Sequence, residues 1–90
     1  NVYALHQNYP NPFNPTTTIP LTLKSPGRAV ISVFAPDGRL VRSLELIGLA
    51  GDHTVVWDGR DQAGAEVPSG VYLYQMDGEA TGGRRMTLIK

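Results

Sequence analysis

The sequence predicts an all-β protein, an antiparallel β-sandwich of about seven strands, and three observations carry that expectation. Ten glycines and seven prolines among 90 residues imply frequent turns. Between the turns lie short runs rich in Val, Ile, Thr, Leu and Tyr, whose starts fall roughly 8 to 18 residues apart, the rhythm of a sandwich. No stretch sustains a helical apolar period.

Strands are expected near residues 2–5, 17–24, 28–35, 39–46, 53–57, 71–76 and 84–90. In the second, Ile19, Leu21 and Leu23 alternate with Pro20, Thr22 and Lys24, so one face is buried; Pro20 lacks an amide donor, which predicts a sheet edge or a bulge. In the third, Ala29, Ile31 and Val33 alternate with Val30, Ser32 and Phe34, and both faces carry apolar residues. Pro36-Asp37-Gly38-Arg39 then closes a hairpin, because proline presets φ, aspartate caps locally and glycine accepts positive φ. In the fourth strand Leu40, Val41, Leu44 and Leu46 cannot share a face without an extra residue, which predicts a bulge near Arg42 and Ser43. Residues 58–69, with Gly59, Gly64 and Pro68, are long enough to cross from one sheet to the other. In the sixth strand Tyr72, Tyr74 and Met76 alternate with Val71, Leu73 and Gln75, and the tyrosine face is assigned to the core because aromatic burial dominates the energetics of a small domain. Gly70 is expected to let the chain turn tightly into that strand.

Residues 7–18 differ in composition: Pro10, Pro12 and Pro15 are interleaved with Asn8, Asn11 and Asn14. This stretch is expected to be an ordered, extended lead-in with Asx turns, anchored by Tyr9 and Phe13. Asn14 precedes a proline, so no glycosylation sequon is present. The whole chain, 1–90, is expected to be one domain with residues 1–15 as its lead-in, since 90 residues do not supply two cores.

Eight basic and eight acidic residues give a formal charge of zero, which removes the positive field that nucleic acid or an anionic membrane demands. Apolar runs stop at four or five residues, so no membrane insertion is expected. The absence of cysteine excludes disulfides and thiolate chemistry. His6 and His53 have no cysteine or glycine-flanked serine beside them, so neither a catalytic site nor a cofactor is expected. Asp58, Asp61 and Glu66 carry calcium-type oxygens but lack the dense alternation of a dedicated loop, which favours turn capping over a metal. Trp57, Tyr72 and Tyr74 suit either a sugar-stacking platform or a core. Core packing is the stronger reading, because the chain has few other large residues to fill the space between sheets.

The stretch Leu5-His6-Gln7-Asn8-Tyr9-Pro10-Asn11-Pro12-Phe13-Asn14-Pro15-Thr16-Thr17-Thr18-Ile19 resembles the opening signature of the type A carboxy-terminal sorting domains of the type IX secretion system. Gly51-Asp52-His53, Trp57-Asp58-Gly59-Arg60-Asp61, Gly64 and Ser69-Gly70-Val71-Tyr72-Leu73-Tyr74 are similar to the same family, and also to the immunoglobulin-like domain of the flagellar hook-capping protein. The Asn-Pro opening is typical of the sorting domains and decides between the two. The basic-flanked apolar ending Arg84-Arg85-Met86-Thr87-Leu88-Ile89-Lys90 agrees, and marks Lys90 as the expected natural end. A lysine is more usual near Arg84 and a basic residue at Gln75.

The resemblance implies an immunoglobulin-like sandwich serving as a non-catalytic sorting signal behind an upstream cargo domain. Its implied partners are the outer-membrane secretion machinery and a processing peptidase that cuts before Asn1. Its implied destination is the cell surface or medium of a Gram-negative bacterium. Arg84, Arg85 and Lys90 are the candidate translocon-recognition residues, with edge-strand protection as the competing reading of the arginines. Asn8, Pro10, Asn11, Pro12, Phe13, Asn14, Pro15, Trp57, Gly70 and Tyr72 form the structural signature. The alternative is a binding or assembly module, hook-capping-like or attaching a larger extracellular protein to a glycan or surface.

Overall fold

The computed structural model describes residues 2–77 and 83–90, with side chains from Ala4 onward. Its strands are β1 (Val2–Leu5), β2 (Thr17–Leu23), β3 (Gly27–Phe34), β4 (Leu40–Gly48), β5 (Gly51–Trp57), β6 (Gly70–Met76) and β7 (Arg84–Leu88). All pair antiparallel, in a three-stranded sheet ordered β1-β2-β5 and a four-stranded sheet ordered β4-β3-β6-β7. The expected immunoglobulin-like sandwich is thus the observed architecture.

The two inner faces meet where the alternation places them. Ile19, Leu21 and Leu23 of β2 and Trp57 of β5 face Ala29, Ile31 and Val33 of β3, Val41 and Leu44 of β4, and Met86 and Leu88 of β7, all buried. Tyr72, Tyr74 and Met76 complete the core from β6, while Val71 and Leu73 point outward. The tyrosine face therefore lies inside, as the argument from aromatic burial expects.

Three local features differ from expectation. The β4 bulge sits at Val41: Phe34 opposes Leu40 and Val33 opposes Arg42, leaving Val41 as the extra residue. Because the slip comes earlier than residues 42 and 43, Leu40 stays on the outer face at 55% exposure and only Val41, Leu44 and Leu46 turn inward. Strands β4 and β5 run two residues nearer each other than expected, to Gly48 and from Gly51. Ile47 and Leu49 there are exposed, so burial periodicity carried no signal for this extension.

Pro20 is the third, since it stands in the central strand of its sheet, opposite Thr54 of β5. Its carbonyl accepts the His6 amide at 3.0 Å just past the end of β1. A non-proline residue would return a bond to the His6 carbonyl in an antiparallel pair. The proline is tolerated because β1 has already ended and another donor, the Tyr74 hydroxyl, serves that carbonyl at 2.7 Å.

The Pro36 turn forms as expected. Gly38 donates to the Ala35 carbonyl at 2.9 Å, Ala35 to the Arg39 carbonyl at 2.8 Å, and the Asp37 carboxylate accepts the Arg39 amide at 3.0 Å. Gly38 takes φ +89°, the conformation for which glycine was needed.

Candidate functional site

The proline lead-in and the terminal strand build one joint. Strand β7 is the last of its sheet, and its outward backbone groups would be unpaired if left alone. The lead-in covers them: Phe13 donates to the Thr87 carbonyl and accepts from the Ile89 amide, both at 2.9 Å, as a parallel bridge. Asn11 Oδ1 accepts the Thr87 amide at 2.9 Å, and Gln7 Nε2 donates to the Arg85 carbonyl at 2.8 Å. The exposed edge is therefore blunted by backbone capture, in addition to any repulsion from Arg84 and Arg85.

The segment is ordered, but bent instead of extended, and all three X-Pro bonds are cis. Its asparagines also do more than local Asx turns. Asn8 is buried and ties distant parts together: its amide donates to the Tyr74 hydroxyl at 2.8 Å and its Nδ2 to Thr17 Oγ1 at 2.9 Å. Pro10 supplies a carbonyl to the Thr17 hydroxyl at 2.9 Å. Phe13 is a true anchor, buried with its ring 5.7 Å from that of Trp57. Tyr9 is not: the residue is 56% exposed, and it holds the segment through its backbone, which exchanges two hydrogen bonds with Thr18. Asn14 and Pro12 are exposed, whereas Pro15 places its carbonyl beside Gly59.

The loop after β5 explains the Trp57-Asp58-Gly59-Arg60-Asp61 run. The Trp57 ring is fully buried, edge-on to Tyr72 at 5.3 Å, and its indole N–H donates to the Arg60 carbonyl at 2.9 Å. Asp58 caps the Arg60 amide, and Asp61 caps those of Ala63 and Ala65. Glu66 pairs with Arg60 and Lys90. These carboxylates serve as turn caps and ion pairs. Gly59 has φ +74°, and a Cβ there would lie 3.0 Å from the Pro15 carbonyl oxygen, so this glycine lets the crossover loop meet the lead-in. Gly70 is different: its φ lies outside the left-handed region, and a Cβ would make ordinary contacts of 3.7 Å with Pro36 and 3.8 Å with Tyr72. No tight turn depends on it.

The sugar-platform aromatics are all inside: Trp57, Tyr72 and Tyr74 are buried. Burial pushes the phenol pKa of Tyr72 up against the opposing charge of Arg39, and that of Tyr74 up against the Asn8 amide bond and Arg84. The histidines are engaged structurally. His53 Nε2 donates to the Leu49 carbonyl at 2.7 Å. The single Thr22 hydroxyl proton goes to Asp52 at 2.8 Å, so His6 Nε2, 3.1 Å from that oxygen, is a donor to it. In this array His6 does not act as a base toward Thr22.

The three basic residues at the chain end part company. Arg84 Nε donates to the Leu5 carbonyl at 2.8 Å, fastening β7 to β1 of the other sheet. Lys90 is held by Glu66 at 3.3 Å and by Ser69, whose Oγ accepts the Lys90 amide at 3.0 Å. Arg85 opposes Leu73 of β6 and points to the outer face of the four-stranded sheet. Sequence reasoning missed Gln7, whose partner Arg85 lies 78 residues away, and Thr17, which meets Asn8 and Pro10 only because the lead-in bends back on itself; it gave no separate weight to Gly59.

The FlgD Ig-like domain family matches residues 12–83. The basal-body rod modification protein FlgD of Salmonella typhimurium is 42% identical over 59 residues, which is 63% of this chain and 25% of that protein. Among solved structures, dimeric latent PorU from Porphyromonas gingivalis superposes with a TM-score of 0.81 at 22% identity, over 99% of this chain and 9% of PorU. PorZ, an essential surface component of the type IX secretion system of the same organism, gives a TM-score of 0.59 at 24% identity, over 100% of this chain and 12% of PorZ. FlgD from Xanthomonas campestris, tied to hook capping in flagellar assembly, gives 0.62 at 18% identity, over 81% of this chain and 55% of that one. The chain thus spans about a quarter of the curated relatives it matches. With the family match covering most of the residues and the core built as an Ig-like sandwich, the chain belongs to the FlgD Ig-like domain family.

Proposed function

We propose that this domain is a non-catalytic carboxy-terminal sorting signal that sends an upstream cargo through the type IX secretion system and is then cut away by a peptidase. One observation carries the reading. The family match stops short of β1 with most of the lead-in, and short of β7, and these are the two regions that bond to each other through Gln7, Asn11 and Arg84. The likeness to PorU and PorZ extends over 99% and 100% of the chain, against 81% for Xanthomonas FlgD. That fuller coverage supports the sorting reading, since PorZ is a surface component of the type IX secretion system. Arg85 is the candidate recognition residue best displayed, and Arg84 and Lys90 hold the strand that presents it. The processing point before Asn1 lies outside the described residues.

A hook-capping-like assembly module is the second reading, favoured by the 42% identity to Salmonella FlgD. The deciding experiment fuses a reporter ahead of residues 1–90 in a bacterium that has the pathway. The sorting reading expects the reporter at the surface or in the medium with the domain, and in the periplasm without it. Delivery independent of the domain, or periplasmic retention of the intact, folded fusion, overturns it.

A further inference from the structure

The outer face of the four-stranded sheet carries an open groove of about 550 Å³, the size range of small-ligand and peptide-side-chain sites. Register explains it. Phe34 of β3 opposes Leu73 of β6, which opposes Arg85 of β7, so the three share one cross-strand row. Pro36 closes one end, Gln75 lies one outward position along β6, and Val71 lies on the other side of the row. Val71 is 48% and Leu73 37% exposed, on a strand flanked by neighbours on both sides. With Phe34 they give the groove an apolar floor.

Charge narrows the occupant. Arg28, Arg42, Arg60 and Lys90 each pair with a carboxylate, and Arg84 is spent on the Leu5 carbonyl. Among the described residues the Arg85 guanidinium meets no carboxylate, and it is the only charged side chain lining the groove. A guanidinium beside an apolar trough favours a carboxylate next to an apolar group. A single cation is too little for a polyanion, and a glycan would leave the apolar floor poorly matched.

We propose that this groove docks a peptide segment of a partner protein, seating an apolar side chain on Phe34, Val71 and Leu73 while an adjacent acidic residue pairs with Arg85. The Gln75 amide is placed to hold the peptide backbone. The surface stands on geometry; only the partner's membership of the secretion machinery rests on the sorting reading.

The test titrates the isotope-labelled whole chain with the synthetic peptide acetyl-Ser-Asp-Leu-Asp-Phe-Ser-amide, followed by amide and side-chain NMR shifts. Shifts should concentrate at Val71, Leu73, Gln75 and Arg85. Arg85→Glu should weaken binding roughly tenfold or more, as should changing both peptide aspartates to asparagine, and Arg85→Lys should retain part of it. Leu73→Ser, at an outward position, should lose binding without unfolding the sandwich. Shifts elsewhere, equal binding of the asparagine peptide, indifference to Arg85→Glu, no binding, or occupation of the groove by a second copy of the chain would each overturn the proposal. Failure here alongside surface delivery of the reporter leaves sorting standing. A retained reporter with a bound peptide does the reverse.

Discussion

The Tyr74 hydroxyl donates to the His6 carbonyl at 2.7 Å, supplying the bond that Pro20 cannot make. The same oxygen accepts the Asn8 amide at 2.8 Å. One buried phenol of the four-stranded sheet thus stitches the end of β1 and the start of the lead-in to the opposite layer. A proline in a central strand and a tyrosine far along the chain are parts of one arrangement.

Removing that oxygen tests the arrangement. Tyr74→Phe keeps the ring and leaves the His6 carbonyl and the Asn8 amide without their partner, at a cost of about 2 to 4 kcal/mol. Urea unfolding gives the number directly. A midpoint equal to the parent's would mean that water serves both groups and that the stitch contributes nothing.

Alkaline sensitivity follows from the same burial. The Tyr72 and Tyr74 phenols are pushed above their ordinary value of 10.0, so folding favours their neutral forms. Their contribution is fully present below about pH 10 and is lost as pH rises through the raised folded values. Stability measured from about pH 8 to about pH 11 should be flat and then fall. Tyr74→Phe should shallow the fall, and an unchanged alkaline slope in that variant would assign it to other groups.

Period-two patterning made the sandwich legible, because Ile19, Leu21 and Leu23, or Tyr72, Tyr74 and Met76, announce a buried face without reference to any partner. Proline chemistry was legible only in part. Pro20 reads as an edge residue because the rule concerns a missing donor, and nothing near it in sequence reveals that β1 ends opposite or that Tyr74 substitutes. Tyr9 reads as an anchor on hydrophobicity alone, yet the residue is mostly exposed and it is its backbone that holds Thr18. The basic ending was visible as composition. That Arg84, Arg85 and Lys90 face three different ways depends on pleat and edge geometry, which composition does not contain.

Gly59 and Gly70 should respond differently to a methyl group. Gly59→Ala places a Cβ 3.0 Å from the Pro15 carbonyl at φ +74°, costing about 1 to 3 kcal/mol. Gly70→Ala meets only ordinary contacts and should stay within about 0.5 kcal/mol of the parent. Thermal melts of the two variants side by side decide this, and a harmless Gly59→Ala would show that the loop can yield to the lead-in.

The clasp between lead-in and β7 predicts a local signature as well as a global one. Phe13→Ala empties a buried aromatic site against Trp57 and should cost about 3 to 5 kcal/mol. Asn11→Ala removes one exposed bond and should cost only about 0.5 to 1.5 kcal/mol, yet it frees the Thr87 amide, which has no strand neighbour on that side. Native-state hydrogen exchange at Thr87 should therefore quicken in Asn11→Ala more than exchange at Leu21 in the central strand of the other sheet. Cutting the chain before Thr16 should expose the amides of both Thr87 and Ile89 and lower overall stability, because Phe13 and its two backbone bonds leave together. If those two amides stay as protected in the shortened chain as in the whole one, β7 needs no clasp, and the bond between the two ends plays no part in how the terminal strand is presented.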